Sequence, residues 1–544
     1  MYGKVEGVDD TAHSGTYFWK GVPFARPPVG ALRWHAPLEP EPWTAPLAVK
    51  TFANASVQAG RIFGPGLHNT YDASIGTSLN QAVGSEDGLY LNIWRPASSA
   101  TKLPVIYFIH GGSNITGYCA DPVYDGAALA RSAKAVVVSA NYRLGVLGWF
   151  NLPQLKSGTD LQGDSGNYGT LDQILALKFI SRNIANFGGN PGNVTVLGQS
   201  AGANDAVALL TSPLVVSATP QLIHRAILMS GGLALAEELP NFSIPLLQPA
   251  SYSQRQGQAL LNALLIADGL ATEDTIATYV ADRTGLQLAA YLRSKSPAEM
   301  IKQVMTKLTP AGLGWTTPIP DGSVVADSPL AAIKAGKYLK VPLLLSYTRD
   351  ETKLFTQFLA LSPALGGVPG LLVGEAAQLN LMMNFHAEAT PTLAEADLIN
   401  QTYLPADRKN TGYNARLTRL NELFFLPNRD ALLKALTRKQ ADIWYCQFSW
   451  DKEPAPWNTV FGAAHAFDLP FVFGNFGPSV FSNVICSPAN EGGRLALSAA
   501  MMAAIGAFAR NGDPNDPALG VLWPVWPKTM TFDATLTEKK LSVQ

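Results

Sequence analysis

Val194-Thr195-Val196-Leu197-Gly198-Gln199-Ser200-Ala201-Gly202-Ala203-Asn204 predicts a strand over residues 194–197, a tight turn, and a helix that starts at once. Aliphatic and β-branched residues without a polar break suit a buried strand. The turn Gly198-Gln199-Ser200-Ala201-Gly202 is a G-x-S-x-G pattern. A serine on so sharp a strand-to-helix turn sits in strained backbone, and side chains two residues to either side would collide with the strand or the helix. With the helix beginning at Ser200, its N-terminal amides and dipole point at any negative charge that forms there. An incidental serine in a glycine-rich turn between strand and helix would show the same pattern. The surrounding chain separates the two readings.

Outward from this turn, buried strands recur. Leu103–Ile109 (LPVIYFI), residues 135–140 (AVVVSA), 224–229 (HRAILM) and 341–347 (VPLLLSY) are continuous apolar runs. Such runs mark strands covered on both faces. Residues 85–94 (SEDGLYLNIW) alternate into a further strand, and YGKVEGV near the N-terminus reads as strand material. Residues 21–30 (GVPFARPPVG) form an ordered strap, since prolines remove donors and fix φ. Residues 166–187 contain a long helix, with Leu171, Ile174, Leu175, Leu177, Phe179 and Ile180 at largely helical spacing. Residues 494–510, rich in Ala and Met, form another, stopped by Asn511-Gly512-Asp513-Pro514. Strands alternating with helices predict an α/β fold, a mostly parallel sheet with helices on both faces. Residues 240–340 and 353–445 lack strong strands and look helical, with Thr272-Glu273-Asp274 and Ser296-Pro297-Ala298-Glu299 as caps. No linker or repeat interrupts the pattern. Residues 1–544 are therefore expected to form one domain, with those two segments as large cap or lid insertions.

Composition excludes several function classes. Lys plus Arg number 40 against 41 Asp plus Glu, without a basic block, so no nucleic-acid partner is expected. No uninterrupted apolar run of about 18 residues occurs, so no membrane-spanning helix is expected. Cys119, Cys446 and Cys486 are an odd and sparse set, not a disulfide framework. No Cys/His cluster suggests a metal. No signal peptide is legible, and a charged fraction of 15% leans toward an exported protein with a trimmed signal, an intracellular one being the alternative.

A serine hydroxyl attacks only when a base takes its proton, and a carboxylate fixes the tautomer of that base. Of 7 histidines, His465 stands out in Gly462-Ala463-Ala464-His465-Ala466-Phe467-Asp468, between small residues and just before the apolar run LPFVFG. Small neighbours suit a loop that must bring a ring over the serine. Glu351 follows the strand at 341–347 through Thr348-Arg349-Asp350. An open α/β sheet collects its site at the C-terminal ends of its strands. Asp350 and Asp468 compete with Glu351 for the role of acid. Ser200, Glu351 and His465 follow the Ser, acid, His order of α/β-hydrolases. A tetrahedral intermediate also needs backbone N–H groups aimed at its oxyanion. His110-Gly111-Gly112-Ser113, straight after the strand Leu103–Ile109, supplies them, and the Ala201 N–H adds one more.

With these residues in place, the chain resembles the type-B carboxylesterases, the family that includes the cholinesterases. The resemblance runs through residues 3–533. It is carried by GVPFARPPVGALRW (21–34), SEDGLYLNIW (85–94), HGGSN (110–114), NYRLGVLGWF (141–150) and GNYGTLDQILAL (166–177). It continues in NIANFGGNPGNVTVLGQSAGA (183–203), HRAILMSG (224–231), RDET (349–352), AAHAFDLPFVFG (463–474) and ARNGDPN (509–515). The resemblance implies an α/β-hydrolase fold, a catalytic Ser200, Glu351 and His465, and oxyanion donors from Gly112, Ser113 and Ala201. It implies no metal and no cofactor. Ser230, in LMSG, matches a serine that family members place beside the triad. Four departures stand out. Gly88 replaces the usual cysteine of EDCLYLN, so that disulfide is absent. Ser113 stands where the oxyanion stretch usually ends in glycine or alanine. Gln199 replaces a frequent glutamate, and the late helix lacks a tryptophan near Ile505.

The implied function is serine carboxylesterase activity on a small-molecule ester, through an acyl-enzyme. A lipase, polyesterase or carbamate hydrolase would use the same triad on bulkier substrates. A non-catalytic binding module on the same fold typically loses the triad. The neutral Gln199 amide gives no Coulombic attraction, whereas a carboxylate about 4–6 Å from a cation contributes on the order of 3–4 kcal/mol at an effective dielectric near 20. Residues 354–372 carry Phe355, Phe358, Leu359, Leu361, Leu365 and Leu371, which either line or lid the site or are ordinary core, and the sequence leaves both open. The expected preference is therefore for neutral, apolar esters over quaternary ammonium esters.

Overall fold

One sheet of 11 strands organises the chain. In chain order these are β1 (Val8–Asp10), β2 (Thr16–Pro23), β3 (Tyr90–Pro96), β4 (Leu103–Ile109), β5 (Val136–Ala140) and β6 (Gly189–Gln199). Then come β7 (Arg225–Met229), β8 (Leu343–Thr348), β9 (Ile443–Phe448), β10 (Thr529–Ala534) and β11 (Lys539–Val543). The structure is a computed structural model, and it describes residues 2–356, 368, 370–389 and 392–544. Across the sheet the order is β11-β10-β9-β8-β7-β6-β4-β5-β3-β2-β1. Strands β4 to β10 run parallel. The flanking β1, β2, β3 and β11 pair antiparallel. This is the α/β-hydrolase architecture. The chain leaves β4 for β5 on one side and returns to β6 on the other. That reversal opens a crevice beyond the ends of β4 and β6, where such sheets bind ligands.

The continuous apolar runs form the strands expected of them, and β4, β5, β7 and β8 are buried almost throughout. Helices α1 (Ala127–Ala133) and α4 (Glu491–Asn511) pack together, as do α2 (Tyr168–Asn183) and α3 (Ala201–Thr211), and both pairs pack on the sheet. Among the described residues, only the helix around α4 is long and apolar enough to cross a membrane. Its apolar window is 67% buried within the protein, as in a core helix.

Differences from the sequence reading have local causes. Strand β6 starts at Gly189, earlier than the apolar run suggests, because the strand continues through an irregularity between Gly189 and Val194. The YGKVEGV stretch divides: Val5–Glu6 pairs with Leu47–Ala48 in a separate two-stranded sheet, and β1 follows. Ser296 caps the helix Pro297–Gln303 as expected, its Oγ accepting the Glu299 N–H while Glu299 accepts the Ser296 N–H at 2.7 Å. Thr272 caps no helix with its side chain. Its N–H donates to Thr275 Oγ1 in a turn, and the helix begins at Ile276.

The segment 240–340 carries helices Ala250–Ala267, Gly285–Ser294 and Pro297–Gln303, which share a second apolar core with Trp34 and Phe150. The segment 353–445 carries Glu375–Met383, Tyr413–Leu423 and Phe425–Leu436, and runs into β9 at its end.

Four of the quoted sequence segments meet in two ion pairs, one buried and one part-buried. Arg143, in NYRLG, bonds both oxygens of Asp172 at 2.9 and 2.7 Å. Arg33, in GALRW, bonds both oxygens of Glu86 at 2.6 and 2.5 Å. Buried charges are tolerated when paired and fully hydrogen-bonded in this way. Cys119, Cys446 and Cys486 are all unpaired.

Candidate active site

Strand β6 ends at Gln199 and α3 begins at Ala201, so Ser200 is the single residue of the bend. Its backbone, at φ 57° and ψ −127°, lies where side chains are rarely found. Both flanking glycines are forced by contact. A Cβ on Gly198 would sit 2.2 Å from the Gly202 carbonyl oxygen, and one on Gly202 would sit 2.1 Å from the Ile109 carbonyl oxygen. The bend is pinned to β7 by the Ser200 N–H, which donates to the Met229 carbonyl at 2.8 Å. Gly202→Ala is expected to lower stability by about 1–3 kcal/mol, the usual cost of overpacking. A lowered melting temperature checks this, and an unchanged one contradicts the steric account.

Glu351 opens a short helical turn, Glu351–Leu354, just past β8. Its Oε1 accepts the Thr348 N–H at 2.7 Å and its Oε2 lies 2.5 Å from His465 Nδ1. Both side chains are buried. The His465 ring is wedged between Phe355 and Phe425, with centroids 4.7 and 5.1 Å away. With Nδ1–H donating to the carboxylate, Nε2 carries the lone pair.

The competing aspartates have other partners. Asp350 accepts from Arg349 at 2.7 Å and from the Ala463 N–H at 3.2 Å, and its own N–H donates to the Ala463 carbonyl. It staples the loop that carries His465. Asp468 is wholly buried with neither oxygen bonded among the described residues. Burial, with the charge of Glu351 adding, pushes its carboxyl up to about 8. A carboxyl that is neutral at pH 7 is poorly suited to steady an imidazolium. His110 is equally remote from base chemistry. It is stacked on Tyr142 at 4.5 Å, and burial pushes it down to about 4.

His465 Nε2 accepts from the Gln199 side-chain amide at 3.1 Å. Ser200 and His465 line the same cavity. Hydrogen bonds between nucleophile and base often close only when substrate is bound. Beyond β4, the chain turns sharply. Gly112 has φ 108°, and a Cβ there would lie 2.1 Å from the Thr116 carbonyl oxygen. Ser113 and Asn114 follow in the left-handed region at φ 55° and 57°. The N–H groups of Gly112 and Ser113 donate to no backbone carbonyl among the described residues. Ala201 opens α3, so its N–H has no acceptor within the helix. Ser230 is buried beside this region with no partner for its hydroxyl among the described residues.

Two lobes meet at Ser200. The larger, about 680 Å³, is walled by Arg61, Phe63, Tyr124, Gln199, Phe355 and Glu375. The smaller, about 400 Å³, is walled by Leu246, Trp315, Phe355, Phe424, Phe425 and Ser230. Of residues 354–372, Leu354 and Phe355 line the larger lobe, whereas Leu371 is buried in the main core. Phe358, Leu359, Leu361 and Leu365 lie outside the described residues. Among the described residues, no group of three His, Cys, Asp or Glu is placed to hold a metal ion.

A model of the carboxylesterase family matches residues 1–542. The chain belongs to the carboxylesterase family. It is a carboxylic ester hydrolase. The para-nitrobenzyl esterase of Bacillus subtilis (strain 168) is 32% identical over 99% of this chain and 94% of that protein. The fumonisin B1 esterase of Sphingopyxis macrogoltabida is 33% identical over 97% of this chain and 85% of that protein. A solved carboxylesterase structure from Geobacillus stearothermophilus superposes with a TM-score of 0.71 at 26% identity, covering 100% of this chain and 97% of that one. Trp315, Phe424 and Phe425 of this carboxylesterase carry no sequence signal for the site. They lie in stretches that read as cap helices, and only the tertiary fold brings them to Ser200.

Proposed function

We propose that this carboxylesterase cleaves neutral, apolar carboxylic esters through an acyl-enzyme on Ser200, with residues 1–544 acting as one catalytic domain. The buried 2.5 Å contact between Glu351 and His465 Nδ1, beside the cavity onto which Ser200 opens, carries this reading. The Ser200 hydroxyl oxygen attacks the ester carbonyl as His465 Nε2 takes its proton. The Gln199 amide releases Nε2 for that step. The N–H groups of Gly112, Ser113 and Ala201 hold the oxyanion, and Glu351 steadies the imidazolium. Collapse expels the alcohol, which takes the proton from His465. Water, deprotonated by His465, then attacks the acyl group and frees the acid and Ser200.

The walls support a neutral substrate. Among the described residues, the Lys, Arg, Asp and Glu side chains lining the two lobes are Arg61 and Glu375, and these pair with each other at 3.0 Å. Gln199 is neutral, and Ser230 adds only a hydroxyl. The name of the para-nitrobenzyl esterase relative is consistent with an uncharged aromatic alcohol. The test is kcat/KM for matched neutral and choline esters of one acyl group, in wild type and in Gln199→Glu. Wild type is expected to prefer the neutral ester, and Gln199→Glu to shift the ratio toward the choline ester. A wild-type preference for choline ends the charge argument.

A further inference from the structure

Asp205 lies on α3, on the helix that begins next to Ser200, and its side chain is fully buried. No cation pairs with it among the described residues. Two side-chain amides hold it instead. Asn114 Nδ2 donates to Oδ1 at 3.0 Å, and Gln173 Nε2, from α2, donates to Oδ2 at 2.6 Å. The carbonyl oxygens of both amides are buried without partners among the described residues. The amides are thus turned so that both give their N–H groups to the carboxylate. Other ionisable neighbours are the hydroxyls of Tyr107 on β4 and of Tyr142. Burial pushes Asp205 up to about 7.

Leaving a carboxylate buried without a cation is costly, even when hydrogen bonds offset part of the cost. Its position indicates a use for that cost. Asn114 follows Ser113, and both residues hold strained left-handed backbone. The other end of the Asn114 backbone is tied by its carbonyl, which accepts the Gly145 N–H at 2.7 Å. Donors aimed at an oxyanion work only within a few tenths of an ångström of their place.

We propose that Asp205 is a positioning residue for the oxyanion hole. Its carboxylate braces the Ser113–Asn114 turn against the helix that follows Ser200, so that the Ser113 N–H and the nucleophile share one rigid mount. This rests on the reading of Ser200 as nucleophile and Ser113 as donor.

The experiment uses Asp205→Asn, Asn114→Ser and the exchange variant carrying Asn114→Asp with Asp205→Asn. Each is assayed for kcat, KM and the affinity of a trifluoromethyl ketone, which forms a tetrahedral adduct on the serine. Both single variants are expected to lose roughly 10–100-fold in kcat, a part of what a whole oxyanion donor is worth. KM should stay within about twofold, and ketone affinity should fall in step with kcat. The exchange variant restores an amide-to-carboxylate bond and is expected to regain most of the loss. If Asp205→Asn does not fold, by circular dichroism, Asn114→Ser decides alone. Wild-type kcat with a lowered melting temperature makes the brace structural only and overturns the proposal. So does a kcat loss without loss of ketone affinity. Ser200→Ala, run alongside, separates the two readings. If it is inactive while the Asp205 and Asn114 variants keep wild-type kcat, the positioning role alone fails. If it is active, the nucleophile reading fails too.

Discussion

Ser200→Ala is expected to abolish ester turnover and leave the fold intact. Removal of a triad nucleophile costs on the order of 10⁶ in kcat, leaving a residual ~10³–10⁴-fold over water from the oxyanion hole and binding. Among the described residues, no other serine in the cavity is set up for the attack. Ser230 is buried and its hydroxyl has no hydrogen-bond partner among the described residues, and Ser113 sits on the turn proposed to offer N–H groups. Alanine removes only the hydroxyl, and the strained φ of 57° is already held by Gly198, Gly202 and the bond to Met229. The melting temperature should therefore move little. Turnover of a chromogenic ester is the measurement, and a variant with a tenth of wild-type kcat would sink the assignment.

The second large effect concerns base and acid. His465→Gln is expected to cost nearly as much as Ser200→Ala, because no other imidazole lines the cavity among the described residues. Glu351→Gln is expected to cost less, since in the proposed mechanism the carboxylate orients and steadies the ring without moving a proton itself. Asp350→Asn should cost less again, because the Arg349 and Ala463 contacts that it weakens only anchor the His465 loop. Asp468→Asn should leave kcat near wild type, as it replaces a group that is already neutral at pH 7. It should act on stability instead. A carboxyl raised to about 8 in the fold, against ~3.9 unfolded, holds a proton that the unfolded chain has lost. Unfolding free energy then falls as pH climbs through that window, and Asp468→Asn flattens the fall. Steady-state kinetics of the four variants check the order. A greater loss in either aspartate variant than in Glu351→Gln defeats the choice of acid.

The strands and the site differ in how much of them a reader of the sequence sees. Strands β4, β5, β7 and β8 are covered on both faces, so nearly every residue is apolar and the run is unmistakable. Strand β10 shows the alternating burial of a sheet margin and β11 is part exposed, so TMTFDA and KKLSV look like ordinary surface chain. Strand β2 is hidden by Lys20 and Gly21, where its pairing with β3 shifts register. In the site, Ser200 announces itself because its neighbours are dictated by contacts within a few residues. Glu351 stands out by following a buried strand. The walls and supports are different. Asn114 meets Asp205 across 91 residues and Gln173 meets it across 32, and no local pattern encodes either pairing.

The three cysteines bear on where such a chain can live. Cys119 and Cys446 are sealed in the core, and burial pushes both thiols up to about 12. Thiolate is the species that exchanges, alkylates and oxidises, and at neutral pH these two supply almost none. Only Cys486 reaches the surface in part, with its own thiol also raised by burial. The fold therefore asks nothing of the redox poise around it. It carries no cross-link among these three cysteines, and a maleimide added to the native protein is expected to meet at most Cys486.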